Sequence, residues 1–211
     1  MKQLIIVAMI AAMALSVNAV NIIKNASFEE PLVSHTGWQY NGNPTDWSSV
    51  GFVTRFEPSG PGNPYGGWDI PPSYGDVVGG FQNGTMYQDI TDSGSSPILY
   101  EASKIYVFSL ESGGSYEGAG NTAFMKLMTG STELASRTIT NQVNSFQSSS
   151  VEYTAPGSGS PVGEQIRVQI EHGSWGGSFC YDMASLEVIP EPASLGFLAI
   201  GGLFLVRKLR K

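Results

Sequence analysis

A chain of 211 residues with 26 glycines, 12 prolines and one cysteine turns often and cannot staple itself with an internal disulfide. Its formal charge of −7 understates the imbalance, because residues 20–189 hold six basic against seventeen acidic side chains, a net of −11. That sign excludes a nucleic-acid partner, which needs a basic patch, and suits divalent cations, neutral ligands and solubility outside a cell.

The first element is a leader. Met1–Ala19 carries one cation, Lys2, then an apolar run from Leu4 to Leu15, then the small-x-small pattern Val17-Asn18-Ala19. The run is shorter than the roughly 20 residues of a membrane span. It reads as a signal peptide for signal peptidase. Residues 20–189 then make one domain of ordinary size.

Apolar alternation recurs through this body and predicts strands. They run Asn21–Phe28, Trp47–Phe56, Thr85–Thr91, Lys104–Leu110, Ala123–Met128, Ser145–Tyr153, Gln165–Glu171 and Phe179–Ile189. In Gln165–Glu171 the pattern turns Ile166, Val168 and Ile170 inward and Gln165, Arg167, Gln169 and Glu171 outward. About eight strands with glycine-rich turns predict an all-β fold, a jelly-roll β-sandwich. Glu57–Gly80 breaks the pattern with five prolines and seven glycines, and carries Tyr65, Trp68 and Tyr74. A loop that long is usually functional.

After the last strand come Pro190-Glu191-Pro192, an apolar stretch Ala193–Val206 and a basic end, Arg207-Lys208-Leu209-Arg210-Lys211. Fourteen residues as a helix span about 21 Å, short of a hydrocarbon core of about 30 Å. The basic cluster marks a cytoplasmic side. Motif, apolar helix and basic tail together closely resemble the PEP-CTERM sorting signal. The resemblance implies recognition of Pro190, Glu191 and Pro192 by an exosortase, transient membrane anchoring and removal of the tail. A plain C-terminal anchor is the alternative. Residues 190–211 are targeting machinery in either case. Export without disulfides fits the surface or extracellular matrix of a Gram-negative-type bacterium.

The body carries a second resemblance. Asn21-Ile-Ile-Lys-Asn25-Ala-Ser27-Phe28-Glu29-Glu30-Pro31, then Gly37-Trp38 and Asp46-Trp47, resembles the opening of galactose-binding-like jelly rolls. Several carbohydrate-binding module families and the calcium-dependent HpiC-like Stig cyclases share that fold. Phe179-Cys180-Tyr181-Asp182-Met183-Ala184-Ser185-Leu186 is similar to their final strand, with Cys180-Tyr181 standing between the Phe and the Asp, and Ala26 standing where Gly is usual.

Alternation puts Asp182 on one face with Cys180, Ala184, Leu186 and Val188, where a carboxylate needs a partner or a metal. The resemblance implies a structural calcium ion held by Glu29 and Asp182; the alternative is that Asp182 sits at a strand end, exposed or capping a turn. Tyr65, Trp68, Tyr74, Tyr116 and Trp175 all lie in glycine-rich loops. Such rings stack on sugars, or pack the loops onto the sandwich. His35 and His172 stand far apart, zinc spacing is absent, and neither a G-x-S-x-G elbow nor a phosphate loop occurs. No catalytic residue is therefore assigned. Three functions stay open: a non-catalytic glycan-binding module, of exopolysaccharide for example; a purely structural envelope or biofilm protein; and a cyclase-like enzyme using Asp69, Asp76 or Asp182 as general acid.

Overall fold

The computed structural model describes residues 21–28, 30, 37–40, 43–57, 78–113, 121–140, 142, 145–173 and 179–190. Among the described residues there are nine strands and no helix. They are β1 (Gly37–Tyr40), β2 (Ser48–Glu57), β3 (Val78–Asp89), β4 (Lys104–Gly113), β5 (Thr122–Thr129), β6 (Thr132–Thr140), β7 (Phe146–Thr154), β8 (Arg167–His172) and β9 (Phe179–Pro190).

β3 is the corner of the fold. Its second half, Thr85–Asp89, pairs antiparallel with β8, and its first half, Gly79–Phe81, pairs antiparallel with β9. From this corner one layer runs β3-β8-β5-β6 and the other runs β3-β9-β4-β7. The two antiparallel layers make the expected jelly-roll sandwich. β2 follows β3 along its length, and their register shifts between Phe52 and Val53. Gln82 is the extra residue, and such a bulge bends a strand where it changes layer.

The core lies between the layers. Strict alternation delivers Tyr106, Phe108 and Leu110 from β4, Ala123, Met125 and Leu127 from β5, and Val168 and Ile170 from β8. Each buried large aliphatic or aromatic side chain contributes roughly 1.5–3 kcal/mol. Aromatic contacts join core members: Phe28 meets Trp47 at 5.1 Å and Tyr181 at 4.9 Å, and Tyr100 meets Tyr106 at 4.7 Å between centroids. At the seam between layers, Arg137 of β6 donates to the Ser150 carbonyl of β7 at 3.1 Å. A charge at such an edge blunts pairing with other chains.

The expected strand over residues 21–28 is instead a turn-rich segment. Asn25 and Phe28 take positive φ, 46° and 60°, which no strand tolerates. The Asn25 side chain holds the turn through the Glu30 N–H and the Glu30 and Thr45 carbonyls. The segment still docks on β9. Ala184 N–H donates to the Ala26 carbonyl at 2.8 Å, and the Asn21 amide accepts from Leu186 N–H and donates to the Ala184 carbonyl. β1 and β6 are strands beyond the expected set, and β3 begins at Val78 rather than Thr85.

Candidate functional site

Tyr65, Trp68, Tyr74, Tyr116, Trp175, Glu29, Asp69, Asp76, Glu191 and Pro192 lie outside the described residues, and Pro190 ends β9. The stems of their loops are described. Gly173 N–H donates to the Thr122 carbonyl at 2.8 Å and Ala123 pairs with His172, so the stems flanking 114–120 and 174–178 form one hydrogen-bonded unit. A Cβ on Gly113 would lie 1.9 Å from the Ser145 carbonyl oxygen, so only glycine fits where β4 ends. Segment 58–77 returns to the sheet at Val78, and the next residue, Gly79, pairs with Tyr181. On the other side of Tyr181 stands Ser112, next to the end of β4. Three loop stems thus flank the first residues of β9.

Asp182 is fully buried there, but on a different side from the expected one. Ser109 pairs with Ser185 and Glu111 with Asp182, so Met183 and Ala184 together oppose Leu110. Met183 takes φ 52° and is 42% exposed. This bulge shifts the alternation by one. Phe179 and Tyr181 before it, and Ala184 and Leu186 after it, all belong to the core. Asp182 therefore leaves the Ala184–Leu186–Val188 side and shares the outward side of its layer with Cys180, directly across from Glu111. Its Oδ1 accepts the Met183 N–H at 2.7 Å. Burial pushes the Cys180 thiol and the Tyr181 phenol well above their ordinary values, so the thiol stays unreactive. Among the described residues no three His, Cys, Asp or Glu side chains group closely enough to hold a metal.

The outward face of the β6-β5-β8-β3-β2 side is a second feature, and alternation alone does not reveal it. Lys126 opposes Gln169, Gln169 opposes Tyr87, and Tyr87 opposes Ser48. The neighbouring row runs Phe124, Glu171, Thr85, Val50. Lys126 donates to Glu171 at 2.7 Å and reaches Glu133 at 3.1 Å, while its ammonium sits 5.5 Å over the Phe124 ring. Arg167 forks onto Asp89 at 2.7 and 2.8 Å, with its guanidinium 4.2 Å from the Tyr87 ring centroid. The hydrogen bond to Asp89 holds Arg167 above its ordinary value, so it stays charged. The outward face of β7-β4-β9 differs: its rows run Ser150, Ser109, Ser185 and Glu152, Val107, Glu187. Sequence gives each residue's side of its strand. It does not give cross-strand neighbours, which depend on register.

No protein-family profile matches the chain, and no curated protein matches it in sequence. Solved structures do match. A Stig cyclase, Fisc, from Fischerella sp. TAU, solved with an indole-containing ligand, superimposes with TM-score 0.66 at 17% identity over 82% of this chain and 99% of its own. An arabinose-bound α-L-arabinofuranosidase matches with TM-score 0.53 at 15% identity over 81% of this chain and 26% of its own. A xylan-binding domain from Paenibacillus barcinonensis matches more loosely, with TM-score 0.49 at 9% identity over 82% of this chain and 96% of its own. At these identities the likeness bears on fold alone: the chain shares the β-sandwich of the Stig cyclase over 82% of its length.

Proposed function

We propose that residues 20–189 form an exported, non-catalytic glycan-binding module, displayed on the cell surface or in the extracellular matrix after sorting at Pro190-Glu191-Pro192. The observation that carries this reading is the gathering of three loop stems around the start of β9, because those loops hold Tyr65, Trp68, Tyr74, Tyr116 and Trp175. Aromatic rings on loops held by a rigid scaffold suit sugar recognition. Trp68→Ala or Trp175→Ala is expected to weaken glycan binding several-fold, roughly 1 kcal/mol, and to leave the fold intact. Lost thermal stability with unchanged binding would make these rings packing residues. Intact-mass measurement of protein from its native host checks the sorting. The mature chain is expected to lack residues 1–19 and the tail beyond the Pro190–Pro192 motif. A retained C-terminal helix on surface protein leaves a simple anchor.

Glu29 and Asp182 are proposed to hold a structural calcium ion. Asp182 supports this as a buried carboxylate two residues from Ala184, where the N-terminal segment docks on β9. Calcium takes six to eight oxygen ligands, so backbone carbonyls would complete the shell.

A second reading is a cyclase-like enzyme with Asp182, Asp69 or Asp76 as general acid. The cyclase match over 99% of that chain and the burial of Asp182 favour it. Turnover lost in Asp182→Asn would select this reading. A domain that binds no glycan and turns over nothing would be structural.

A further inference from the structure

We propose that the outward face of β6-β5-β8-β3-β2 is itself a glycan-binding surface, one that takes a neutral polysaccharide chain lying across the strands along Lys126, Gln169 and Tyr87. The inference rests on the glycan-binding reading and gives it a site on the sheet, away from the loops.

Three observations point there. The first is order. The Lys126 and Arg167 side chains are 15% and 24% exposed, held by Glu171, Glu133 and Asp89 and laid against Phe124 and Tyr87. Donors fixed before binding lose little freedom on binding. The second is charge. Two cations face three carboxylates, all joined in ion pairs, so the face offers little net field to a polyanion or a polycation. The third is the mixture of groups. Lys126, Arg167, the Gln169 amide and the Tyr87 hydroxyl can donate, and Glu171, Asp89 and the Gln169 carbonyl can accept, all on adjacent strands. A hydroxyl both donates and accepts, so a polyhydroxylated chain matches this alternation as no single-sign polymer does. Neighbouring strands lie about 4.8 Å apart, so a chain crossing them meets Lys126, Gln169, Tyr87 and Ser48 in turn.

The test is calorimetric titration of the full mature chain with neutral galactan, xylan and dextran, and with alginate as the polyanion, at low and high salt with calcium present. The wild type is compared with Tyr87→Ala and Gln169→Ala, with the double variant Ser109→Ala, Ser150→Ala on the opposite face, and with Trp68→Ala, Trp175→Ala in the loops. The expected result is salt-insensitive binding to a neutral polymer that falls about tenfold in the two face variants and not in the serine variant. Melting temperatures identify any variant that fails to fold. Gln169 is the safeguard, since its side chain is held by one long contact, 3.3 Å to Glu171. Binding lost only in the loop variants overturns the sheet site and keeps the glycan reading. Binding to alginate alone overturns the sheet site for a neutral chain and keeps the glycan reading; binding to no polymer overturns both.

Discussion

On the β5-β8-β3 face stand Lys126, Arg167, Gln169 and Tyr87, long side chains fixed against one another. On the β7-β4-β9 face the matching positions are Ser150, Ser109 and Ser185, with Val107 and four carboxylates around them, Glu111, Glu152, Glu187 and the buried Asp182. Both faces belong to one sandwich, and solvation asks the same of each. The serine face shows that short polar side chains meet that demand. The other face orders Lys and Arg, which lose up to about 2 kcal/mol of rotamer freedom each. Exposed ion pairs return about 0–1 kcal/mol. Stability alone therefore does not account for this ion-paired ladder of Lys126, Arg167, Gln169 and Tyr87; the recognition proposed for it would. The serine face in turn leads to a buried Asp182, where stability is the issue.

The largest expected effect lies on the serine side. If Asp182 and Glu29 hold calcium, a chelator lowers the melting temperature of the mature domain and calcium restores it. A ligand at 100-fold its dissociation constant adds about 2.7 kcal/mol, several degrees for a domain of this size. Asp182→Ala is expected to remove the difference. A melting curve indifferent to chelator and calcium at matched ionic strength rejects the ion.

Next in size is the ladder. Arg167→Ala is expected to weaken neutral-glycan binding about tenfold while changing stability by less than about 1 kcal/mol. Loss of several kcal/mol in denaturant unfolding, with binding intact, would turn the ladder into a structural device and erase the contrast between the faces.

A smaller effect is set by pH. Hydrogen bonds from Ser136 and Lys126 hold the Glu133 carboxyl below its ordinary 4.5. Burial opposes the Lys126 ammonium, but hydrogen bonds to Glu171 and Glu133 more than offset it and hold it above 10.5. A depressed carboxyl stabilises above about pH 4.5, and that stability fades as pH falls through its lowered value. A raised lysine stabilises below about pH 10.5 and loses this as pH rises through its raised value. The pair's contribution is therefore flat between those limits. Acid titration of stability is expected to fall less steeply in Lys126→Met than in wild type; identical slopes contradict the coupling. Smallest of all, Ser109→Ala with Ser150→Ala is expected to stay within roughly 0.5 kcal/mol per site.

The sandwich was legible where alternation was clean. Ile166, Val168 and Ile170 are fully buried, as the stretch Gln165–Glu171 reads in sequence. It was illegible where the chain breaks its own period. β6 brings Arg137 to the seam with β7, so its apolar set thins to Leu134, Ala135 and Ile139. The start of β3 carries Gly79 and Gly80, which read as loop. Met183 takes a left-handed conformation that no glycine or asparagine announces, and that one residue moved Asp182 to the other side of its strand. The candidate loops were legible as compositions. The ladder was not, because Lys126, Gln169 and Tyr87 lie in three separated stretches that only register unites.

Amide NMR of the mature domain, titrated with the neutral polysaccharide it binds most tightly, tests the glycan reading most directly. The account predicts shifts at Trp68 and Trp175 in the loops and at Tyr87, Lys126, Arg167 and Gln169 on the sheet, with Ser109, Ser150 and Ser185 silent. Shifts confined to the serine rows, or a spectrum unchanged at high polymer concentration, would contradict it.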